Sequence, residues 1–455
     1  TGCDACPSLI LNDWLSEWVA MRIGLQTWGS EGDIRPFLAL GYGLVQAGHS
    51  VTLGMVNIDG RDFSAMATSL GLRAVPLGLP YFATRRPELY ALAQQMVTLR
   101  NPLRQLGLVL EHLYDPVQML QYEFAQELCA THDLVVGHFL VDGLAVAATM
   151  AQKPYASLMT VGTVPSAAQP PAGLPNWGPW ANRLTWQLAG WIIQRQFGPR
   201  LNRLRRKAGL APTQDALRTA FGSAQLNLIS NSPTLYPPQP DWPLQHRVCG
   251  YLAPPSPPAA LDPEVAAFLD AGPAPVYLTF GSMLTVDQPL TLVQDSVTAF
   301  LTAVAQTGVR AIVQAPWIRL NPTAPLGAHQ TSDMPQVLRL SQAPHDQIFP
   351  RCAAIVHHGG AGSTHAALSA GCPAVIVPHA IDQQDWATKL ARLGVAVPPL
   401  PRRQLTGARL AQRLTQVLTQ PQYTARAQQL GAQLRAENGI ATAVGLLEAF
   451  GRHPG

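Results

Sequence analysis

"IVHHGGAGSTHAALSAGCPAVIVPHAIDQQDWA", from Ile355 to Ala387, decides the fold. An apolar run ends on a histidine pair. Glycines at 359, 360 and 362 follow, then Ser363 and Thr364, a helix-like stretch to Gly371, a second apolar run, and an Asp-Gln pair at 382 and 383. A strand that turns on glycines directly into a helix leaves the first helical amides unpaired, with the positive end of the helix dipole behind them. Such an end suits a phosphate. Gly360 and Gly362 let the backbone approach closely, Ser363 and Thr364 add hydroxyl donors, and His358 can donate to a phosphate oxygen. A glycine-rich turn capped by Ser363 explains the glycines alone, but not the histidine pair with Asp382 and Gln383 after the next strand. A carboxylate and an amide at that place are suited to sugar hydroxyls. On their own they read equally as a helix cap and its neighbour.

Working outward, the same alternation of apolar strand and helix fills both halves of the chain. The first half opens with "RIGLQTW" from Arg22, a helical stretch closed by Gly48, and "HSVTLGMV", followed by strand candidates near Asp133, Tyr155 and Leu226. The second half has "PVYLTFGS", "VRAIVQAP", "VLRLSQ", "AAIVHHGG" and "PAVIVPHA". Strands alternating with helices imply parallel sheets covered on both faces. Proline recurs densely between Pro237 and Pro275, which interrupts regular structure. The expected fold class is therefore α/β, with two Rossmann-like doubly wound domains facing a central cleft. The expected boundaries are a leader at 1–20 outside the fold, a first domain at 21–240, a proline-rich linker at 241–275 and a second domain with C-terminal helices at 276–455. The carboxyl ends of the strands should open into the cleft.

Composition narrows the function. With 47% hydrophobic and 13% charged residues over 455 positions, the chain is long and apolar enough for two well-buried cores. A net charge of +4 is too small for a nucleic-acid partner. The most apolar run, from Leu134, is broken by His138 and Asp142 and reads as strand then helix, not as a membrane span. Six scattered cysteines fit neither a disulfide framework nor a zinc site, although Cys3 and Cys6 form a lone CxxC. Neither GxGxxG nor GxxxxGK[ST] occurs at the strand ends, which removes the dinucleotide and P-loop readings. No carboxylate pair at metal-binding spacing accompanies the phosphate loop, so no metal and no cofactor is expected.

Two further places line the expected cleft. "TFGSM" puts Ser282 at the end of the second half's first strand. "GSEGDIRPF" puts Asp33 where the first half's first strand turns into its helix. Asp33 there is either a helix cap, with Pro36 tolerated in the first turn, or a carboxylate on the cleft wall facing the phosphate site, and both roles can coexist.

The motifs "GSEGDIRPFLALGYGL", "VYLTFGS", "SQAPHDQIF" and the opening stretch, in this order, resemble the inverting nucleotide-sugar glycosyltransferases of the GT-B fold, the group that holds sterol glucosyltransferases and the enzymes of antibiotic glycosylation. The resemblance spans nearly the whole chain from Met21. It implies donor contacts at Ser282, His358, Gly360, Gly362, Ser363, Thr364, Asp382 and Gln383, and a base-binding loop at Gln342, Ala343 and His345. It implies that Asp33 is the general base. The plant branch's Trp-Ala-Pro-Gln and Cys-Gly-Trp-Asn signatures are missing, so plant donor rules transfer poorly.

The implied reaction moves a hexose, with glucose favoured by Asp382 and Gln383, from a UDP- or TDP-sugar to a hydroxyl of a lipophilic acceptor. A non-catalytic sugar-nucleotide-binding subunit and a TDP-deoxysugar transferase stay open beside it. The family builds its acceptor pocket from the first half, where the candidates are Phe139, Asp142, Trp177 and Trp180, with core packing as the competing explanation of the tryptophans. The aromatic segment runs into "RLNRLRRKAGL", so residues 186–207 are a candidate for peripheral contact with anionic lipid by an otherwise cytoplasmic protein. A solvated helix face is the plainer reading of such a run.

Overall fold

A computed structural model describes residues 20–99, 102–160, 164–171, 173–220, 222–255, 261–281, 284, 290–320, 334–379 and 381–452. Seven strands form the first sheet: β1 (Arg22–Gly29), β2 (Ser50–Asn57), β3 (Arg73–Pro76), β4 (Leu134–His138), β5 (Tyr155–Met159), β6 (Leu226–Ile229) and β7 (His246–Val248). Five form the second: β8 (Val276–Leu278), β9 (Ala311–Gln314), β10 (Val337–Leu340), β11 (Ala354–His357) and β12 (Ala374–Ile376). The orders are β3-β2-β1-β4-β5-β6-β7 and β10-β9-β8-β11-β12, with every pairing parallel. These are two Rossmann-like parallel sheets.

Burial explains why these segments are strands. In β1 and β2 every residue after the first is buried, as expected where helices cover both faces. One face packs the helices Asp115–Thr131, Asp142–Ala151 and Pro179–Lys207 through Leu128, Leu144 and Leu201. The other packs the helix Glu31–Gln46 through Ile34, Phe37 and Leu38.

In each sheet the first strand is the point where the order reverses. Strand β1 has β2 on one side and β4 on the other, and β8 has β9 and β11. Chain leaving adjacent carboxyl ends in opposite directions opens a crevice there. Asp33 follows β1, and the histidine-glycine turn follows β11.

Several elements fall outside the patterns read from sequence. The short strands β3 and β7 are half-exposed edges whose apolar signal is weak. The stretch 241–275, read as linker, carries β7 and a helix, Pro263–Asp270, that packs Val265 and Leu269 into the second half. Pro36 lies beyond the first turn of its helix, five residues after Glu31. The final helix, Gly439–Arg452, returns to the first half, with Ala443, Val444 and Leu447 in the same core as Leu25 and Phe37. Near this crossing Glu437 accepts bonds from Ser232 Oγ at 2.7 Å and from Thr234 N and Oγ1 at 3.2 and 2.7 Å.

Candidate functional site

On the first half's wall, the turn after β1 fixes Asp33. Ser30 is the N-cap, and Asp33, three residues on, reaches back so that its Oδ2 accepts from Ser30 N at 2.9 Å and from Ser30 Oγ at 3.0 Å. The cap role is thus shared, and only one carboxylate oxygen is spent on it. Gly29 makes room: its φ is +139°, and a Cβ there would stand 2.3 Å from Asp33 Oδ2.

The other oxygen, Oδ1, is met by residues from two further strands. Thr160 Oγ1, just after β5, donates to it at 3.2 Å, and His138 Nε2, at the end of β4, lies 3.4 Å away. Leu140 N donates to His138 Nδ1 at 3.3 Å, so the ring proton sits on Nε2 and points at Asp33. The His138 side chain is 1% exposed and that of Asp33 28% exposed. Burial alone would raise the Asp33 carboxyl; the His138 ring, followed by the Ser30 bonds, outweighs it and holds the pKa below the ordinary value. Asp33 is an ionised carboxylate at neutral pH, partly open to the cleft.

On the second half's wall, β11 ends at His357, Gly360 is the N-cap, and the helix Ala361–Ser369 follows. The His358 ring packs where Gly360 has no side chain: a Cβ on Gly360 would lie 2.4 Å from His358 Nε2. Burial lowers the pKa of His358 to about 4 and that of His357 to about 3, so both rings are neutral at pH 7. Among the described residues, His358 Nδ1 and Thr364 Oγ1 are buried with no hydrogen-bond partner. Buried polar atoms left open at a helix N-terminus match the donor set a diphosphate needs. Ser363 is half-buried beside Gly281, and Gly362 is exposed.

Gln383 is drawn into the same place. It is 5% exposed, its backbone carbonyl lies beside Gly359, and its Oε1 accepts from His379 N at 2.8 Å. Asp382 is on the helix Ile381–Arg392, but its side chain lies outside the described residues, as does Ser282 altogether. In the loop before the helix His345–Ile348, Gln342 is exposed and Ala343 half-buried. His345 stacks on Phe349 at 4.4 Å and lies 3.1 Å from Gln314 Oε1. Burial, then the positive charge of Arg35, lowers its pKa to about 4.

Arg35 belongs to the helix that bears Asp33, so its field at His345 relates the two walls. Tyr251 links them a second time. Its ring stacks on His365 at 4.0 Å, a Cβ on Gly362 would lie 3.2 Å from its hydroxyl, and Arg35 opposes the burial that pushes its pKa up to about 12. The helix that carries Asp33 and the segments around the histidine-glycine turn therefore lie within electrostatic reach of one another.

The residues expected to meet the acceptor differ in exposure. Asp142 is a correction: it is 2% exposed and bonded to Tyr114 and Gln118 inside the first core, where it is closed to an acceptor. Trp177, just before the long helix, and Trp180, in its first turn, stand out in solvent, 63% and 76% exposed. The buried Phe139 ring lies 4.3 Å from that of His138. His138, Thr160 and Tyr251 are site residues that sequence patterns did not single out. The available signal was position, since His138 and Thr160 end strands beside the reversal point. Among the described residues no three His, Cys, Asp or Glu side chains are grouped to hold a metal ion.

The family model described as erythromycin biosynthesis protein CIII-like, C-terminal domain, matches residues 325–449. The O-mycaminosyltylonolide 6-deoxyallosyltransferase of Streptomyces fradiae is 31% identical over 441 residues, 94% of this chain and 97% of its own length. A sterol 3-beta-glucosyltransferase of Arabidopsis thaliana is 29% identical over 458 residues, 95% of this chain and 68% of its own. Among solved structures, the glycosyltransferase VinC in complex with dTDP matches at a TM-score of 0.65 and 22% identity, over 95% of this chain and all of its own, a likeness of fold.

Proposed function

Because the chain belongs to the GT-B-fold glycosyltransferases of antibiotic and sterol glycosylation, we propose that it transfers a hexose from a nucleoside-diphosphate sugar to a hydroxyl of a lipophilic acceptor, with inversion at the anomeric carbon and Asp33 as base. What supports this reading is the Asp33 carboxylate, held by His138 and Thr160 with its pKa below the ordinary value, at the carboxyl end of the first sheet's reversal point.

The acceptor hydroxyl attacks the anomeric carbon as Asp33 takes its proton. The new C–O bond forms while the bond to the diphosphate breaks, and the leaving group carries away the electron pair. Charge growing on that diphosphate is met by the first amides of the helix Ala361–Ser369, the Thr364 hydroxyl and the neutral His358 ring. Neutrality suits His358 to this task, because it donates without holding a permanent charge in a buried place. Asp382 and Gln383 are read as the sugar contacts, with glucose favoured.

A second donor reading has its own support. The Streptomyces fradiae relative is named for a 6-deoxyhexose, and the VinC structure carries dTDP. A TDP-deoxysugar is therefore the alternative. A panel of UDP- and TDP-sugars separates them by thermal shift, since a ligand that binds only the native state raises its melting temperature. On the donor so found, Asp33→Asn should keep the thermal shift and lower transfer by about 10²–10⁴-fold. Transfer by that variant at the native rate removes Asp33 as base.

A further inference from the structure

The helix Pro179–Lys207 is anchored on one face and bare on the other. Phe197, Leu201 and Leu204 are buried in the first core, and Arg200 is tied to Asp115 by bonds of 2.7 and 2.8 Å. On the outer face Trp180, Leu184, Leu188 and Trp191 follow at spacings of four, four and three residues, which aligns them in one stripe. They are 76%, 51%, 56% and 59% exposed, and Trp177, just before the helix, extends the stripe. By contrast Trp186, on another face, is half-buried and donates to Gln169 O at 2.8 Å.

Charge is as one-sided as apolarity. The helix holds seven arginines and lysines and no acidic residue, and none occurs from 143 to 214. With a net charge of +4 for the whole chain, the remainder, +4 less +7, carries −3. The basic groups continue the stripe: the Arg195 guanidinium lies 5.7 Å from the centre of the Trp191 ring, and exposed Arg206 follows three turns later on the same side.

We propose that this face docks on an anionic lipid surface, tryptophans and leucines entering the interface while arginines meet the head-group charges. Exposed tryptophans with arginine alongside them are the side chains that favour a membrane interface and its anionic head groups. No helix among the described residues is long and apolar enough to cross a membrane, so the contact is peripheral. A second copy fits poorly, because the face carries arginine and the helix has no acidic residue with which a copy could meet it. Docking would also bring the first half, which forms the Asp33 wall, to where lipophilic molecules are dissolved.

The test uses the intact chain with vesicles of phosphatidylcholine alone or mixed with phosphatidylglycerol, without donor or acceptor, so its outcome is independent of the transfer assay. The chain should co-sediment with the anionic vesicles and not with the neutral ones, with a blue shift of tryptophan fluorescence, and should be released as salt shortens the screening length. Arg195→Glu with Arg206→Glu should weaken binding at least about 25-fold, taking about fivefold per basic residue near such a surface, and separately Trp180→Glu with Trp191→Glu should weaken it by removing the inserted rings. All four positions are exposed, and an unchanged melting temperature would show that both variants fold. No sedimentation with anionic vesicles, equal sedimentation with both kinds, or unchanged binding by either variant overturns the proposal. So does a dimer in solution that the tryptophan variant dissociates, which would assign the stripe to a second copy.

Discussion

Asp33 pays for its readiness with basicity. A carboxylate held below its ordinary pKa is ionised at any working pH but is a weak acceptor, and in the proposed mechanism it takes a proton only as the attacking hydroxyl grows acidic in the transition state. Its lowered pKa also means that its stabilising contribution is present above the unfolded value of about 3.9 and is lost as pH falls through the folded one. His138 is the main source of the lowering. His138→Ala should let burial prevail and raise the Asp33 pKa, moving the acid limb of the pH–rate profile to higher pH. The turnover number should fall by roughly 10–100-fold with donor affinity unchanged, and His138→Gln, which restores an N–H toward Oδ1, should recover part of it. An unmoved acid limb in His138→Ala would leave the ring a packing residue. The histidine-glycine turn proposed as the phosphate site was legible as a unit because its parts lie within a few residues of one another. The partners of Asp33 were not, because His138 and Thr160 arrive from β4 and β5, 105 and 127 residues away, and only the strand order brings them together.

At the scale of elements, Asp142 shows where local pattern misleads. It follows a strand and opens a helix, as Asp33 does, and the two read alike in sequence. The difference comes from the turn Leu110–Tyr114, a widened helical turn that delivers the Tyr114 hydroxyl to the Asp142 carboxylate, with Gln118 Nε2 at 3.2 Å. Burial pushes the Asp142 pKa up to about 6 despite these bonds. A carboxyl raised in the folded state binds its proton more tightly there, so stability falls as pH rises from about 4 through about 6 and stays lower above. Asp142→Asn keeps an oxygen acceptor and removes the charge. It should stabilise the protein by about 1–3 kcal/mol at pH 8 and have little effect at pH 4.5, as read by chemical denaturation at both values. Equal effects at the two pH values would mean that the carboxyl is not ionised inside the core.

At the scale of the molecule, the chain's return to its first half ties the two walls of the cleft together. The alternation of strands and helices made both sheets legible, but nothing periodic in "GIATAVGLLEAF" says which sheet it covers. That is settled by Ala443, Val444 and Leu447 fitting beside Leu25, Ile34 and Phe37. Leu447 is fully buried there, so Leu447→Ala removes packing from the first core although it lies far beyond the last strand of the second. The loss should be about 2–5 kcal/mol. If the crossing makes the halves unfold as one, the variant melts in a single transition, and a nucleoside diphosphate bound only at the second half's cradle raises that whole transition, by about 2.7 kcal/mol at a hundredfold excess over its dissociation constant. Two transitions, with the nucleotide raising only one of them, would mean that the crossing helix covers a surface without coupling the walls. Alignment of Asp33 with the diphosphate would then have to come from the bound substrates.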